Sequence, residues 1–83
     1  MSSIMVRLKK IKKIGGDITC IAFVEDCEVP INIKFSVEDN LFYSDPLPKG
    51  YEWCSAHLRH ARDNLEHMLK SGDIPEHRTI MWC

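Results

Sequence analysis

The chain has 83 residues, 45% hydrophobic and 28% charged, with a formal net charge of −1. That length holds one domain, residues 1–83, and no second. The hydrophobic share excludes a disordered chain, and the near-neutral total gives no global attraction to nucleic acid or to an anionic membrane. A domain this small buries only about 60–65% of its extended surface, so marginal stability is expected.

Charge is unevenly placed. Residues 1–16 carry Arg7, Lys9, Lys10, Lys12 and Lys13 and no acid, whereas residues 17–50 carry seven acids against Lys34 and Lys49. A basic strand pairing with acidic neighbours is the expected use of that asymmetry. A basic surface on Arg7, Lys9 and Lys12 facing an anionic partner is the alternative.

Residues 5–14 begin as an alternation, with Val6 and Leu8 on one face and Arg7 and Lys9 on the other. The phase then slips, because Ile11 and Ile14 are three apart, and a bulge near Lys10 accounts for it. No apolar run suits a secretory signal, and none approaches the ~18 residues that cross a bilayer. A cytoplasmic location with Cys20, Cys27, Cys54 and Cys83 reduced is expected.

Gly15-Gly16 provides a hairpin turn. Residues 17–25 then form a strand with Ile18, Cys20, Ala22 and Val24 on one face and Ile21 and Phe23 on the other. Apolar on both sides, it belongs at the centre of a sheet or under a partner. After a turn over residues 25–28, Ile31, Ile33, Phe35 and Val37 alternate with polar residues, a half-buried strand. Pro30 belongs at its start or on an edge. Residues 38–40 turn the chain into a short strand, Leu41 to Ser44, and Pro46 and Pro48 stiffen the connector that follows.

From Tyr51 to Gly72 the periodicity changes to that of a helix. Cys54, Leu58, Ala61, Leu65 and Met68 recur at spacings of three and four, with Leu69 beside them, an amphipathic stripe. Gly72 supplies the left-handed terminus and Lys70 favours the helix dipole. His57, His60, Asn64 and His67 form a second stripe, expected at the solvated margin with Trp53 over it. Arg78 to Cys83 reads as a last strand whose Trp82 must dock. The order is β-β-β-β-α-β: an α+β fold of an antiparallel meander of about four strands, one long amphipathic helix on one face, and a short C-terminal strand.

Chemistry-bearing residues gather near the helix. Cys54, His57 and His60 lie at successive spacings of three, so their side chains can approach one point, and thiolate and imidazole are zinc's usual ligands. Cys20, Cys27, His77 or Cys83 would have to complete such a site. The competing reading makes Cys54 a small core hydrophobe; zinc is therefore the alternative and no cofactor the main expectation. The stripe His57, His60, Asn64 and His67 suits a pH-sensitive binding face. Catalysis has little support, because no orienting acid or oxyanion donor is evident beside Cys54 and His57.

Nucleic acid is the weaker expectation. It needs the lysines and the aromatics Phe23, Phe35, Phe42 or Tyr43 on one exposed face, whereas these aromatics alternate with polar residues as core positions do. The favoured reading is a small non-enzymatic module, an inhibitor, regulator or assembly subunit, that binds a protein partner. A homodimer through a sheet edge or the uncovered sheet face would add burial that a small monomer lacks.

Overall fold

A computed structural model describes residues 4–82. It is an α+β fold with strands β1 (Ile4–Ile14), β2 (Asp17–Val24), β3 (Ile31–Ser36), β4 (Leu41–Ser44) and β5 (Arg78–Trp82) and one helix, α1 (Ser55–Ser71), between the last two strands. The sheet order is β4-β3-β2-β1-β5, antiparallel throughout. Three hairpins lay the meander down in sequence. The helix then carries the chain from the β4 edge across β1, β2 and β3, and β5 adds to the far side of β1. Cys83, read above as the end of the last strand and as a candidate ligand, lies outside the described residues.

Strand β2 is central, which accounts for its two apolar faces. Its Ile18, Cys20, Ala22 and Val24 are buried under α1 with Val6 and Leu8 of β1 and Ile31, Ile33 and Phe35 of β3. Ile14 pairs with Asp17, so Gly15-Gly16 is a two-residue hairpin loop. Gly15 has φ +61° and Gly16 does not share its positive φ, the pattern of a type II′ turn that matches strand twist.

The expected bulge is present. Lys9 pairs with Ile21 and Lys12 with Thr19, so Lys10 and Ile11 together oppose Cys20. Lys10 takes the extra bend with φ 53°. Ile11 N–H, freed from the ladder, donates to the carbonyl of Glu76 (2.9 Å) and ties down the approach to β5.

Strands β1 and β2 differ from the sequence reading by one residue at one end each, and two boundaries differ by more. Strand β3 stops at Ser36, and Val37 is 43% exposed rather than core, because the turn begins there and Asn40 N–H closes onto the Val37 carbonyl (3.2 Å). The helix begins at Ser55, after a stretch in which Cys54 N–H bonds to the carbonyl of Tyr51 (3.0 Å) and His57 N–H to that of Cys54 (3.1 Å). It has no side-chain N-cap and no acid in its first turn, so docking rather than capping holds that end. Gly72 closes the other end with φ 79°, donating to the Met68 carbonyl.

Candidate functional site

The helix buries Cys54, His57, Ala61, Leu65 and Met68. Leu58 and Leu69 are only partly buried against the core. The inward face is therefore turned toward the histidine stripe, and His57, expected at a solvated margin, is 2% exposed. Its burial has a cause in β2. Glu25 ends that strand in a left-handed conformation, φ 52°, a strained geometry for a residue with a side chain. Its Oε2 accepts from both Met5 N–H (2.7 Å) and His57 Nε2 (2.7 Å).

Burial works against a charge on Glu25. The hydrogen bonds from His57 and Met5 and the nearby imidazole outweigh it and hold the carboxyl below its ordinary range. A carboxylate cannot donate, so Nε2 of His57 carries the hydrogen. The other ring nitrogen, Nδ1, is buried and has no hydrogen-bond partner among the described residues. Trp53 and Trp82 meet the imidazole edge-on, with centroids at 5.4 and 4.9 Å, so aromatic rings flank His57 while Glu25 stays partly open to solvent.

The remaining histidine-stripe residues separate from His57. His60 stacks on Trp82, centroids 3.9 Å apart. Asn64 uses its amide internally, Nδ2 donating to the carbonyl of His60 (3.0 Å). His67 is exposed. Arg62, partly buried on the flank of the helix, lies over the Phe35 ring and donates to Asn40 Oδ1 (3.0 Å).

For zinc, the set Cys54, His57 and His60 is split among other partners. His57 Nε2 is held by Glu25 and His60 by Trp82, and among the described residues no three His, Cys, Asp or Glu side chains gather as a metal ion requires. Cys20, Cys27 and Cys54 are free and buried. Burial pushes the Cys20 thiol up to about 12 and, together with the Glu25 charge, raises that of Cys54. Thiols so placed are poor nucleophiles and poor ligands.

The second candidate is the sheet face away from the helix. Cross-strand partners share a face, and the register reads in rows. Tyr43, Lys34, Thr19 and Lys12 form one; Asn32, Ile21 and Lys9 a second; Phe23, Arg7 and Thr79 a third. Phe35 and Phe42 pair on the helix side. The aromatics thus divide: Phe35 is core and Phe42 packs partly buried against it, while Phe23 and Tyr43 stand on the uncovered face with the basic residues. The alternation in β2 already set Phe23 opposite the core positions, but Phe42 and Tyr43 are adjacent and only register says which turns out.

Arg7 and Lys34 have partners there. Arg7 Nη2 donates to the carbonyls of Glu25 (3.2 Å) and Cys27 (3.0 Å), approaches Glu28 (3.6 Å), and its guanidinium lies 5.3 Å from the Phe23 centroid. It clamps the loop after β2. Lys34 pairs with Asp17 at 3.3 Å. Lys9, Lys10 and Lys12 are exposed, and none forms an ion pair among the described residues. Lys9 lies 6.0 Å from the Phe23 centroid. Beside them is an open groove of about 540 Å³ lined by Lys10, Lys12, Ile21, Asn32, Lys34 and Tyr43. Asp45 closes one end, its Oδ2 accepting from Asn32 N–H (3.0 Å) and Nδ2 (2.8 Å), bonds that hold its carboxyl below the usual value.

No family model matches the chain, and neither a curated protein nor a solved structure matches it. No helix among the described residues is long and apolar enough to cross a membrane.

Proposed function

We propose that the chain is a small non-enzymatic binding module whose working surface is the uncovered sheet face, and that it takes an anionic macromolecule there. The observation that carries this is the run Lys9, Lys10 and Lys12, without acidic partners among the described residues, alongside Ile21, Phe23 and Tyr43 on one open face. Exposed lysines next to apolar rings attract a polyanion and give it something to rest on. A second copy of the chain is a poorer occupant, since a symmetric contact through this face would oppose lysine to lysine. A protein partner, as the sequence suggests, fits this face where it brings its own acids.

The non-enzymatic part of this reading concerns Cys54 and His57, the pair weighed for nucleophilic chemistry. Cys54 and His57 are sealed in the core, and a general base must reach its substrate's proton.

Retention on a polyanionic matrix such as heparin tests the reading. The triple variant Lys9→Gln, Lys10→Gln, Lys12→Gln should elute at clearly lower salt than the wild type, because each lost charge contact lowers the salt dependence of binding. Equal elution of the two proteins at neutral pH would refute it.

A further inference from the structure

The groove between β1 and β4 has a chemistry narrower than a general attraction for anions. Its long wall carries ammonium groups, Lys10 and Lys12 at the bulge of β1. Its opposite wall carries an aromatic ring, Tyr43 of β4, 53% exposed and bordering the same space. Lys34, paired across to Tyr43, and Ile21 of the central strand lie between them. From this arrangement we infer that the uncovered face binds single-stranded nucleic acid, one base stacking on Tyr43 in the groove while the backbone phosphates meet Lys9, Lys10 and Lys12. The inference rests on the proposed function and names its partner.

Three physical points favour this occupant over an acidic peptide. The first is the combination of an exposed ring with ammonium groups across the groove from it, Tyr43 on β4 facing Lys10 and Lys12 on β1, with Lys34 beside the ring. A polynucleotide carries flat bases on one side of its backbone and charges along it, whereas an acidic side chain has no flat face to stack. The second is size, since about 540 Å³ lies within the range of pockets that enclose a small organic ligand. The third is polarity. The Oδ1 of Asn32 and the second oxygen of Asp45 have no partner among the described hydrogen bonds, so the end of the groove offers acceptors to the donor edge of a base. Phe23, two strands from Tyr43 and flanked by Arg7 and Lys9, gives a second ring for a following base. Duplex DNA suits the face less well, because its bases are stacked inside and cannot reach either ring.

Fluorescence anisotropy with labelled single-stranded DNA and RNA of about 12 nucleotides tests this. Two control polymers accompany them, an abasic oligonucleotide of equal charge and polyglutamate. The expected result is tighter binding of the base-bearing strands than of either control, with affinity falling as salt rises. Tyr43→Ala should weaken the base-bearing strands by roughly 5- to 150-fold, the effect of losing one stacked base, and leave abasic binding unchanged. Tyr43 is half-exposed, so the variant should fold, and an unchanged circular-dichroism melt would verify it. Lys12→Gln should weaken all the anionic polymers together and reduce the salt slope by about 1. Equal binding of base-bearing and abasic strands, indifferent to Tyr43→Ala, would overturn the nucleic-acid inference and leave the polyanion reading standing. Selective binding of polyglutamate would move the partner to acidic protein. No binding of any of these polymers would refute both.

Discussion

Replacing Glu25 by glutamine isolates the charge of the buried acid–histidine pair. A single oxygen, Oε2, accepts from Met5 N–H and from His57 Nε2, each at 2.7 Å. An amide oxygen at the same position can still accept both, so Glu25→Gln keeps the geometry and removes the charge. A hydrogen bond to a charged group contributes about 1.5–3 kcal/mol and a neutral one about 0.5–1.5. Over two bonds, the loss should be about 1–3 kcal/mol at neutral pH.

The pH dependence follows from the direction of the shift. The folded carboxyl is held below its ordinary value of 4.5. Such a group stabilises the fold fully above the unfolded value, and the contribution drains away as pH falls through the folded one. The gap between wild type and variant should therefore be full at neutral pH, shrink below 4.5, and close once the carboxyl is protonated in both states. Urea titrations at a series of pH values measure it as a midpoint change at constant slope. A variant as stable as the wild type at neutral pH would refute the reasoning. So would a gap that persists undiminished as pH falls well below the unfolded value, where the folded state no longer gains from the charge.

Two further substitutions test the rotation of the helix and the state of its thiol. Leu65→Ala empties a fully buried position and should cost about 2–5 kcal/mol in denaturant midpoint measurements. Leu58→Ala, at a position only partly buried, should cost less than half as much; equal costs would mean that Leu58 and not His57 occupies the core. Cys54→Ser places a hydroxyl among apolar neighbours and should destabilise by about 1–2 kcal/mol while leaving affinity for polyanions unchanged, since Cys54 lies on the far side of the sheet from the lysines. Loss of binding in a variant that remains folded would place the working surface at the helix instead.

Strand positions were legible where alternation is uninterrupted and one face is polar. Ile31, Ile33 and Phe35 are core as their spacing implies, and the phase slip before Ile11 marked the bulge. Legibility ended where two patterns overlap. Cys54, Ala61, Leu65 and Met68 accept either position 57 or position 58 as the missing member of a helical stripe, and hydropathy chooses leucine. The fold chooses histidine, because the carboxylate at the end of β2 supplies the partner that a buried imidazole needs. That partner is 32 residues away in sequence and was read as one acid of a turn. No local signal links the two. Likewise Tyr43 rather than Phe42 becomes the exposed ring only through register, which is a property of strand pairs and not of either strand alone.

The bulge at Lys10 joins core formation to the make-up of the uncovered face. Strict alternation through β1 from Val6 and Leu8 would turn Lys10 and Lys12 inward and Ile11 out to solvent. The inserted residue reverses that phase. Ile11 is buried with the helix-side core, and Lys12 crosses to the open face, opposite Thr19. Lys10 takes the left-handed bend and borders the groove. Burial of Ile11 and outward placement of Lys12 are thus one event, and a basic stripe costs the core nothing. A lysine-rich first strand can then complete a small hydrophobic core through its apolar residues while Lys9, Lys10 and Lys12 stay exposed without an ion pair among the described residues.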